Sequence, residues 1–289
     1  MLDVSGGTAT NVTQHDGAIL KTNTNGTTVS CTNSEGAFSI HNHVADNVLL
    51  ENGGHLDINA YGSANKTIIK DKGTMSVLTN AKADATRIDN GGVMDVTGNA
   101  TNTIINGGTQ NINNHGIATG TNINGGTQNI KSGGKADTTI ISSGSRQVVE
   151  KDGTATGSNI SAGGSLIVYT GGIAHGVNQE TGIALVANTG AGTDIEGYNK
   201  LSHFTITGGE ANYVVLENTG ELTVVAKTSA KNTTIDAGGK LIVQKEAKTD
   251  SSRLNNGGVL EVQDGGEAKH VEQQSGGALI ASTTSGTLI

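Results

Sequence analysis

The chain has 289 residues, with 44 glycines, no proline, four tyrosines, two phenylalanines and a formal net charge of −8. Acidic and basic residues are interspersed along it, which argues against nucleic-acid binding because that function needs a concentrated basic face. It has no apolar run long enough for a secretion signal or a membrane helix, and we expect both to lie elsewhere in a longer protein.

A unit of about nineteen residues repeats along nearly the whole chain. Each unit is anchored by the second glycine of a Gly-Gly-x-Leu-x-Val segment, or by the residue that replaces it. The anchors are Gly17, Gly54, Gly73, Gly92, Gly108, Gly126, Ser145, Gly164, Ile183, Gly220, Gly239, Gly258 and Gly277. The two longest steps, from Gly17 to Gly54 and from Ile183 to Gly220, read as double units. A fixed short period indicates a solenoid, in which each repeat buries its apolar residues against its neighbours.

A longer period lies over the first one. The sequence of Arg87–Val96 recurs in similar form 166 residues later as Arg253–Val262, and the neighbouring segments recur as well. We therefore interpret residues 1–289 as one β-helical fragment of a longer array. Its cycles cover approximately residues 11–176 and 177–270, and a third cycle begins at residue 271.

Within each unit, apolar residues alternate after the anchor, and a second short run of Ala, Thr or Val, and Ile follows. Alternation at period two predicts strands, and the Asn-Gly pairs between runs predict sharp corners. Two short strands per nineteen residues favour a right-handed parallel β-helix of roughly fifteen coils, about 70 Å long at a coil spacing of about 4.8 Å. We expect one inward column to contain Leu56, Met75, Met94, Leu166, Leu222, Leu241 and Leu260.

Glutamine replaces the aliphatic residue of this column in three successive units, at Gln110, Gln128 and Gln147. An isolated buried amide would be costly, whereas amides in register can hydrogen-bond to one another along the stack. The sequence therefore predicts an interior or rim glutamine ladder, against the alternative of a local twist that exposes the slot.

Cys31 and the pair His41 and His43 are the remaining chemically distinctive residues. Cys31 corresponds to Gly197 in the second cycle and is followed by no recognisable redox motif, so we interpret it as a drifted corner residue. His41 and His43 are expected on one strand face, but two ligands do not make a metal site. We expect no metal and no cofactor.

A β-helical polysaccharide lyase or hydrolase is the enzymatic alternative. Such an enzyme needs a cleft with clustered carboxylates, or with basic residues beside calcium. The coils here are short and regular, without a long loop to build a cleft. We therefore expect a structural, adhesive protein with no catalytic residues.

Several repeat words resemble the passenger repeats of self-associating autotransporter adhesins, the AIDA and antigen 43 family. They are Gly-Gly-Thr-Ala-Thr-Asn-Val-Thr at 6–13, Gly-Gly-Thr-Gln-Asn-Ile at 107–112 and 125–130, and Asn-Asn-Gly-Gly-Val-Leu-Glu-Val at 255–262. Longer words, such as Lys-Leu-Ser-His-Phe-Thr-Ile-Thr-Gly-Gly, resemble the TibA-type adhesins and invasins most. The resemblance covers essentially the whole chain.

The resemblance implies a passenger on the bacterial surface, exported through the periplasm and anchored to the outer membrane by a translocator absent from this chain. It also implies self-association, host-cell adhesion or invasion through a host-surface ligand, biofilm formation, and modification by a dedicated heptosyltransferase. The acceptors we expect are serines at exposed corners, whereas Thr103 and Thr139 should face inward. These candidate acceptors are Ser132, Ser143, Ser145, Ser161, Ser165 and Ser275.

For self-association we expect two rods to meet side by side through polar and charged residues rather than through an apolar patch. The reasoning rests on the scarcity of exposed aromatic residues and on an outward row. That row consists of Asp57, Ser76, Asp95, Asn111 and Asn129. Individually weak contacts of this kind gain strength by repetition along a rod.

Overall fold

The computed structural model describes residues 1–282 and 286–289, and these residues form strands and turns with no helix. The chain is a parallel β-solenoid with about 15 turns of roughly 19 residues, which confirms the predicted fold class. It divides into two compact units, residues 1–140 and 141–289.

Regular turns of the first unit carry one short strand on each of three faces, and strands of neighbouring turns on the same face pair in parallel. Strand bounds are β1 Leu2–Val4, β2 Thr8–Thr13, β3 Leu20–Asn23, β4 Thr28–Asn33, β5 Gly36–His41, β6 Val44–Asp46, β7 Leu49–Leu50, β8 His55–Ile58, β9 Ser63–Asn65, β10 Ile68–Ile69, β11 Thr74–Val77, β12 Lys82–Asp84, β13 Arg87–Asp89, β14 Val93–Val96, β15 Asn99–Thr101, β16 Ile104–Asn106, β17 Thr109–Ile112, β18 Ile117–Thr119, β19 Asn122–Ile123, β20 Gly126–Ile130 and β21 Lys135–Asp137.

The second unit is built in the same way. Strand β22, Ile140–Ile141, holds the last residue of the first unit and the first residue of the second. The strands that follow are β23 Ser145–Val149, β24 Thr154–Thr156, β25 Asn159–Ile160, β26 Ser165–Val168, β27 Ile173–Gln179, β28 Ala184–Asn188, β29 Asp194–Tyr198, β30 His203–Thr207, β31 Glu210–Asn212, β32 Val215–Leu216, β33 Glu221–Val224, β34 Ser229–Lys231, β35 Thr234–Ile235, β36 Lys240–Val243, β37 Lys248–Asp250, β38 Arg253–Leu254, β39 Val259–Val262, β40 Glu267–Lys269, β41 Glu272–Gln273 and β42 Ala278–Ala281.

A regular turn contains three strands, so the expectation of two was wrong. The run read as one strand, from Ala to Ile, is broken by a residue with positive φ, such as Lys66 (φ 53°), Ala85 (51°) or Asn102 (53°). A residue in the left-handed region cannot continue an extended strand, so the chain turns a corner there. We call the three faces first, second and third, in chain order after the anchor.

The first face carries the predicted inward column. In the first unit, Leu56, Met75, Met94, Gln110 and Gln128 are partners in successive strands, and all are buried. In the second unit the expected members Leu166, Leu222, Leu241 and Leu260 are also buried. Their register moves by two residues within β28, because Leu185 pairs with Leu166 and Ala187 pairs with Leu222.

The two long steps are not double turns, which corrects the sequence interpretation. On the first face β3 pairs directly with β8, and β28 pairs directly with β33, so each step advances by one strand. The extra residues form an antiparallel meander on the second face, β4–β5–β6 in the first unit and β29–β30–β31 in the second.

Tight hairpin turns produce this reversal of the chain. Asn42 and His43 both have positive φ at the second turn of the first meander, and Gly208 and Gly209 do so at the equivalent turn of the second. Two consecutive residues with positive φ are typical of the turns that close two-residue hairpins. The Gly-Gly pair at 208–209 is a sequence signal from which a hairpin could have been predicted.

Most anchor glycines have Cα atoms that lie against the preceding turn; Gly17 does not, and Ser145 and Ile183 replace glycine at two anchors. A β-carbon on Gly73 would stand 2.3 Å from the Leu50 carbonyl oxygen, and one on Gly239 would stand 2.1 Å from the Leu216 carbonyl oxygen. Both distances are far inside van der Waals contact, so the repeated glycine follows from the close stacking of turns.

The glutamine ladder is confirmed as an interior one. Gln110, Gln128 and Gln147 are fully buried. Gln128 Nε2 donates to Gln110 Oε1 at 2.9 Å, and Gln110 Nε2 donates to Thr103 Oγ1 at 3.1 Å. Thr121 donates its hydroxyl proton to Gln110 Oε1 at 3.3 Å. Thr139 donates to Gln128 Oε1 and Ser158 donates to Gln147 Oε1, so each buried amide oxygen accepts a hydrogen bond from a hydroxyl and its burial is compensated.

Candidate adhesive rows and acceptor hydroxyls

The five residues expected for self-association form one column on the outward side of the first face. Asp57, Ser76, Asp95, Asn111 and Asn129 are partners in successive strands β8, β11, β14, β17 and β20. All five are half-buried. We call this column the first-face row.

Hydrogen bonds run along this row. Asn111 Nδ2 donates to Asp95 Oδ1 at 2.9 Å, and Asn129 Nδ2 donates to Asn111 Oδ1 at 2.9 Å. At the other end, His55 Nε2 lies 2.8 Å from Asp57 Oδ1. From Asp95 to Asn129 the row is thus a prearranged polar ridge whose side chains are held in place by one another, which lowers the entropy lost when a partner binds.

The second unit does not repeat this row. Its equivalent positions are Thr223, Ile242 and Glu261, which pair in register on β33, β36 and β39. Lys240 Nζ lies 2.7 Å from Glu261 Oε2, and the hydrogen bond to Lys240 lowers the pKa of Glu261 below its ordinary value. Any polar ridge of amides and carboxylates on the first face therefore belongs to the first unit.

One premise of the expected interface was wrong, because the aromatic residues are not hidden. The phenylalanines are buried, but all four tyrosines are exposed, since they lie at corners or on the second meander. The exposed tyrosines are Tyr61, Tyr169, Tyr198 and Tyr213. Tyr198 and His203 contact each other edge to face, with ring centroids 5.1 Å apart.

The six candidate acceptor serines differ in exposure. Ser132, Ser143 and Ser275 are exposed at corners, and each precedes a glycine with positive φ. Ser161 lies at a corner and is half-buried. Ser132, Ser143 and Ser275 present their hydroxyls beside a residue without a side chain, which favours access by an enzyme, whereas Ser161 is followed by Ala162.

Two of the candidates are not at corners, which corrects the sequence interpretation. Ser145 is 1 % exposed and begins strand β23, because it occupies the anchor position that is packed against the preceding turn. Ser165 begins strand β26 and is half-buried there, paired in register with Arg146 and Ala184. The inward position expected for Thr103 and Thr139 is confirmed, since each is 1 % exposed.

The structure changes the interpretation of the distinctive side chains Cys31, His41 and His43. Cys31 lies within strand β4 rather than at a corner; it is buried, and its Sγ lies 3.7 Å from the Ala9 carbonyl oxygen. His41 ends strand β5, and His43 lies in the turn after it, so they do not share a strand face. Among residues 1–282 and 286–289, no group of three or more His, Cys, Asp or Glu side chains is placed to hold a metal ion.

Sequence reasoning missed the ion pairs that hold the two meanders against the third face. In the first unit Glu35 Oε1 lies 3.7 Å from Lys70 Nζ and 3.9 Å from Arg87 Nη2. In the second unit the polarity is reversed, because Lys200 Nζ lies 2.6 Å from Glu217 Oε2 and 2.7 Å from Asp236 Oδ2. No sequence signal could have revealed these contacts without the meanders.

Lys200 and Asp236 show pKa shifts that reflect this contact. Burial acts to lower the pKa of Lys200, but the hydrogen bonds to Asp236 and Glu217 outweigh it and raise that pKa. Burial acts to raise the pKa of Asp236, and the hydrogen bonds from Lys200 and Asn255 outweigh it and lower that pKa. Both groups are therefore charged at neutral pH.

In the part of the chain that the structure describes, no helix is long and apolar enough to cross a membrane. The family described as "adhesin of bacterial autotransporter system, probable stalk" matches residues 30–92 and 196–258, which cover most of each meander and the turns after it. Repeating parallel turns, two meanders and these two matches are consistent with a passenger segment of the AIDA-type autotransporter adhesins, which this chain resembles.

Two relatives support this assignment. The chain is 96 % identical over 287 residues to "Probable autotransporter YpjA" of Escherichia coli (strain K12), covering 99 % of this chain and 19 % of that protein. It therefore spans about a fifth of the length of this curated relative. A crystal structure of a TibC-catalysed hyper-glycosylated TibA fragment matches 98 % of this chain and 99 % of its own, with a TM-score of 0.54 and 28 % identity. Similarity to autotransporter passengers supports a location at the bacterial cell surface.

Proposed function

We propose that this chain is an adhesive part of a surface-anchored passenger that mediates bacterial self-association, binding to and invasion of host cells, and biofilm formation. The family match to autotransporter adhesins supports an adhesive role. The protein exposes polar rows on regular faces, which suits weak contacts repeated between two long molecules.

The first-face row is the observation that carries the self-association proposal. Its five side chains stand in strict register over five successive turns, and Asp95, Asn111 and Asn129 are joined by hydrogen bonds along the row. An ordered ridge of amides and carboxylates can exchange hydrogen bonds with a similar ridge without reorganising first. Each such contact is weak, roughly 0–1 kcal/mol, and the total depends on their number.

Settling of bacteria that display the chain tests this proposal. The double substitution Asp57→Lys with Asp95→Lys reverses the charge of the row, and we expect the cells to remain suspended. As a matched control, Asp152→Lys with Asp264→Lys makes the same double change at exposed corners of the second unit and should leave settling intact. Equal settling of both variants, at equal surface display, would remove the first-face row from the proposal.

We further propose that a dedicated heptosyltransferase modifies exposed corner serines of this chain before export. Support comes from the structural match to a fragment that TibC glycosylates, and from the four corner hydroxyls described above. Ser132, Ser143 and Ser275 are the strongest candidates, Ser161 is the next, and buried Ser145 is the weakest.

Peptide mapping of the chain made with and without the transferase tests this modification. We expect heptose-sized mass increments on peptides that contain the corner serines. Increments confined to the inward threonines would show that modification precedes folding and ignores final exposure, which contradicts the reasoning from access.

A further inference from the structure

Two outward rows of opposite charge run along the second face of the first unit. The tripeptide Lys-Ala-Asp occurs twice, as strands β12 (Lys82–Asp84) and β21 (Lys135–Asp137). In both strands the alanine points inward and is buried, while the flanking lysine and aspartate are exposed. Lys82 and Lys135 thus stand in one row, and Asp84 and Asp137 stand in the other.

The pairing of intervening strands fixes these rows. Lys82 is in register with Asn99, then Ile117, then Lys135, while Asp84 is in register with Thr101, Thr119 and Asp137. The two Lys-Ala-Asp strands are therefore three turns apart, about 14 Å at the usual strand spacing, and the rows are about 7 Å apart. We call these the lysine row and the aspartate row.

The charges of these rows are not neutralised within the first unit. Among residues 1–282 and 286–289, neither Lys82 nor Lys135 forms an ion pair, although each has an aspartate two residues away on its own strand. Asp84 accepts hydrogen bonds from Thr101 Oγ1 at 2.6 Å and Asn102 Nδ2 at 2.8 Å, which fix its carboxylate and leave it charged.

The same face of the second unit shows the opposite arrangement. Lys231 Nζ lies 2.7 Å from Glu210 Oε2, and Lys248 Nζ and Lys269 Nζ lie 3.1 and 2.5 Å from the two oxygens of Glu267. There the acids and bases alternate from turn to turn and neutralise one another. Only the first unit keeps basic and acidic residues apart on this face.

We propose that the lysine and aspartate rows form a surface that binds the same surface of a second copy of this chain, with the two molecules parallel. A two-fold axis that runs along the rows, midway between them, places the lysine row of each copy opposite the aspartate row of the other. Lys82 then meets Asp84 of the second copy, and Lys135 meets Asp137, which gives four intermolecular ion pairs.

The antiparallel arrangement is disfavoured by the same geometry. A two-fold axis that lies across the rows places each row opposite itself, so that Lys82 would meet Lys135 of the second copy and Asp84 would meet Asp137. Four ion pairs would be replaced by four like-charge contacts, which favours the parallel arrangement. Two passengers anchored on one cell can lie parallel to each other. The inference rests on the proposed self-association.

Charge reversal in the 289-residue chain tests the surface by sedimentation equilibrium at low salt. One variant, Lys82→Asp with Lys135→Asp, makes both rows acidic, and a second, Asp84→Lys with Asp137→Lys, makes both rows basic. We expect each variant alone to associate about tenfold or more weakly than the wild type, and an equimolar mixture of the two to recover association.

A matched control changes the same four residues but keeps the two rows complementary. Exchanging lysine and aspartate at positions 82 and 84 and at positions 135 and 137 reverses both rows together, so association should stay within about threefold of the wild type. The recovered mixture and this exchange variant together exclude simple misfolding as the cause of weaker association.

Disulfide formation in the Cys31→Ser background tests the orientation. In the parallel arrangement, the Ile117→Cys variant should crosslink with the Thr119→Cys variant, because these positions face each other on one turn. In the antiparallel arrangement, the Ile117→Cys variant should instead crosslink with the Asn99→Cys variant. Preferential formation of the second heterodimer would overturn the parallel arrangement.

The outcomes distinguish this inference from the proposed function. Wild-type association that is unaffected by either charge variant would overturn the paired-row surface and leave the first-face row in place. A wild-type chain that stays monomeric at every concentration would contradict both.

Discussion

Replacing Gln110 by leucine should destabilise the protein, even though aliphatic residues occupy this position in most turns. Gln110 Oε1 accepts hydrogen bonds from Thr121 Oγ1 and Gln128 Nε2, and both partners are buried. Leucine would fill a similar space but would remove the acceptor that both donors use.

The magnitude follows from the two donors that lose this acceptor. A buried donor left unsatisfied costs about 1–3 kcal/mol, so two cost about 4 kcal/mol. Burying the leucine side chain returns about 2 kcal/mol. The net loss in the free energy of unfolding is therefore about 2 kcal/mol, which is a large share of the stability of a typical domain.

Urea denaturation followed by circular dichroism measures this loss. Met75→Leu is the matched control, because Met75 is buried in the same column where its neighbours Leu56 and Met94 are aliphatic, and it should cost less than about 1.5 kcal/mol. A Gln110→Leu variant that is as stable as the wild type, or more stable, would refute the view that the ladder compensates the burial of its polar groups.

Further predictions concern the inward threonine column, the core and the meander. Thr86 Oγ1 is buried and has no hydrogen-bond partner among the described residues, so Thr86→Val should stabilise by about 1 kcal/mol, while Thr121→Val should destabilise by about the same amount in the same denaturation assay. Leu166→Asp should unfold the second unit, with loss of its β signal, because a buried unpaired carboxylate is not tolerated; a retained thermal midpoint would show that the register is wrong. The folded pKa of Asp236 is lowered, so its carboxylate stabilises the folded state above its ordinary pKa of about 4. This stabilisation is lost as pH falls through the folded pKa. The folded pKa of Lys200 is raised, so its ammonium group stabilises the folded state below pH about 10.5. This stabilisation is lost as pH rises through the folded pKa. The rate of amide hydrogen exchange at residues 199–202, corrected for intrinsic rates, should therefore rise at both low and high pH. Rates that do not change with pH would contradict a stabilising role of this ion pair.

The fold class could be predicted from the sequence because the apolar alternation and the anchor spacing are both local and repeated. The inward column of Leu56, Met75 and Met94 follows from period two alone. The burial of the glutamines could also be predicted, because buried amides in register can hydrogen-bond to one another along the stack.

The meanders could not be predicted from the period. A step of 37 residues is equally compatible with two turns or with one turn and a hairpin, and only the pairing of β3 with β8 decides between them. Consequently the ion pairs of Glu35 and Lys200 were missed as well. The third strand of each turn was missed because residues such as Lys66 and Ala85 adopt positive φ without being Asn or Gly.

The exposure of the candidate acceptor serines was only partly predictable, because a small shift along the chain moves a serine from an exposed corner into a packed strand. Ser143 and Ser145 lie two residues apart, yet the first is exposed and the second is packed against the preceding turn. The first-face row was predictable as an outward column, whereas the hydrogen bonds that order it depend on the distance between turns.

The most direct test of self-association through polar rows is sedimentation velocity of the purified chain over a range of salt concentrations. Exposed ion pairs and charged hydrogen bonds are screened by salt, with a Debye length of about 10 Å at 0.1 M and about 3 Å at 1 M. We predict reversible, concentration-dependent association at low salt that weakens steadily as salt rises. Association that is unchanged or stronger at 1 M salt would show that apolar contacts, such as those of the exposed tyrosines, hold the copies together, and would contradict the account.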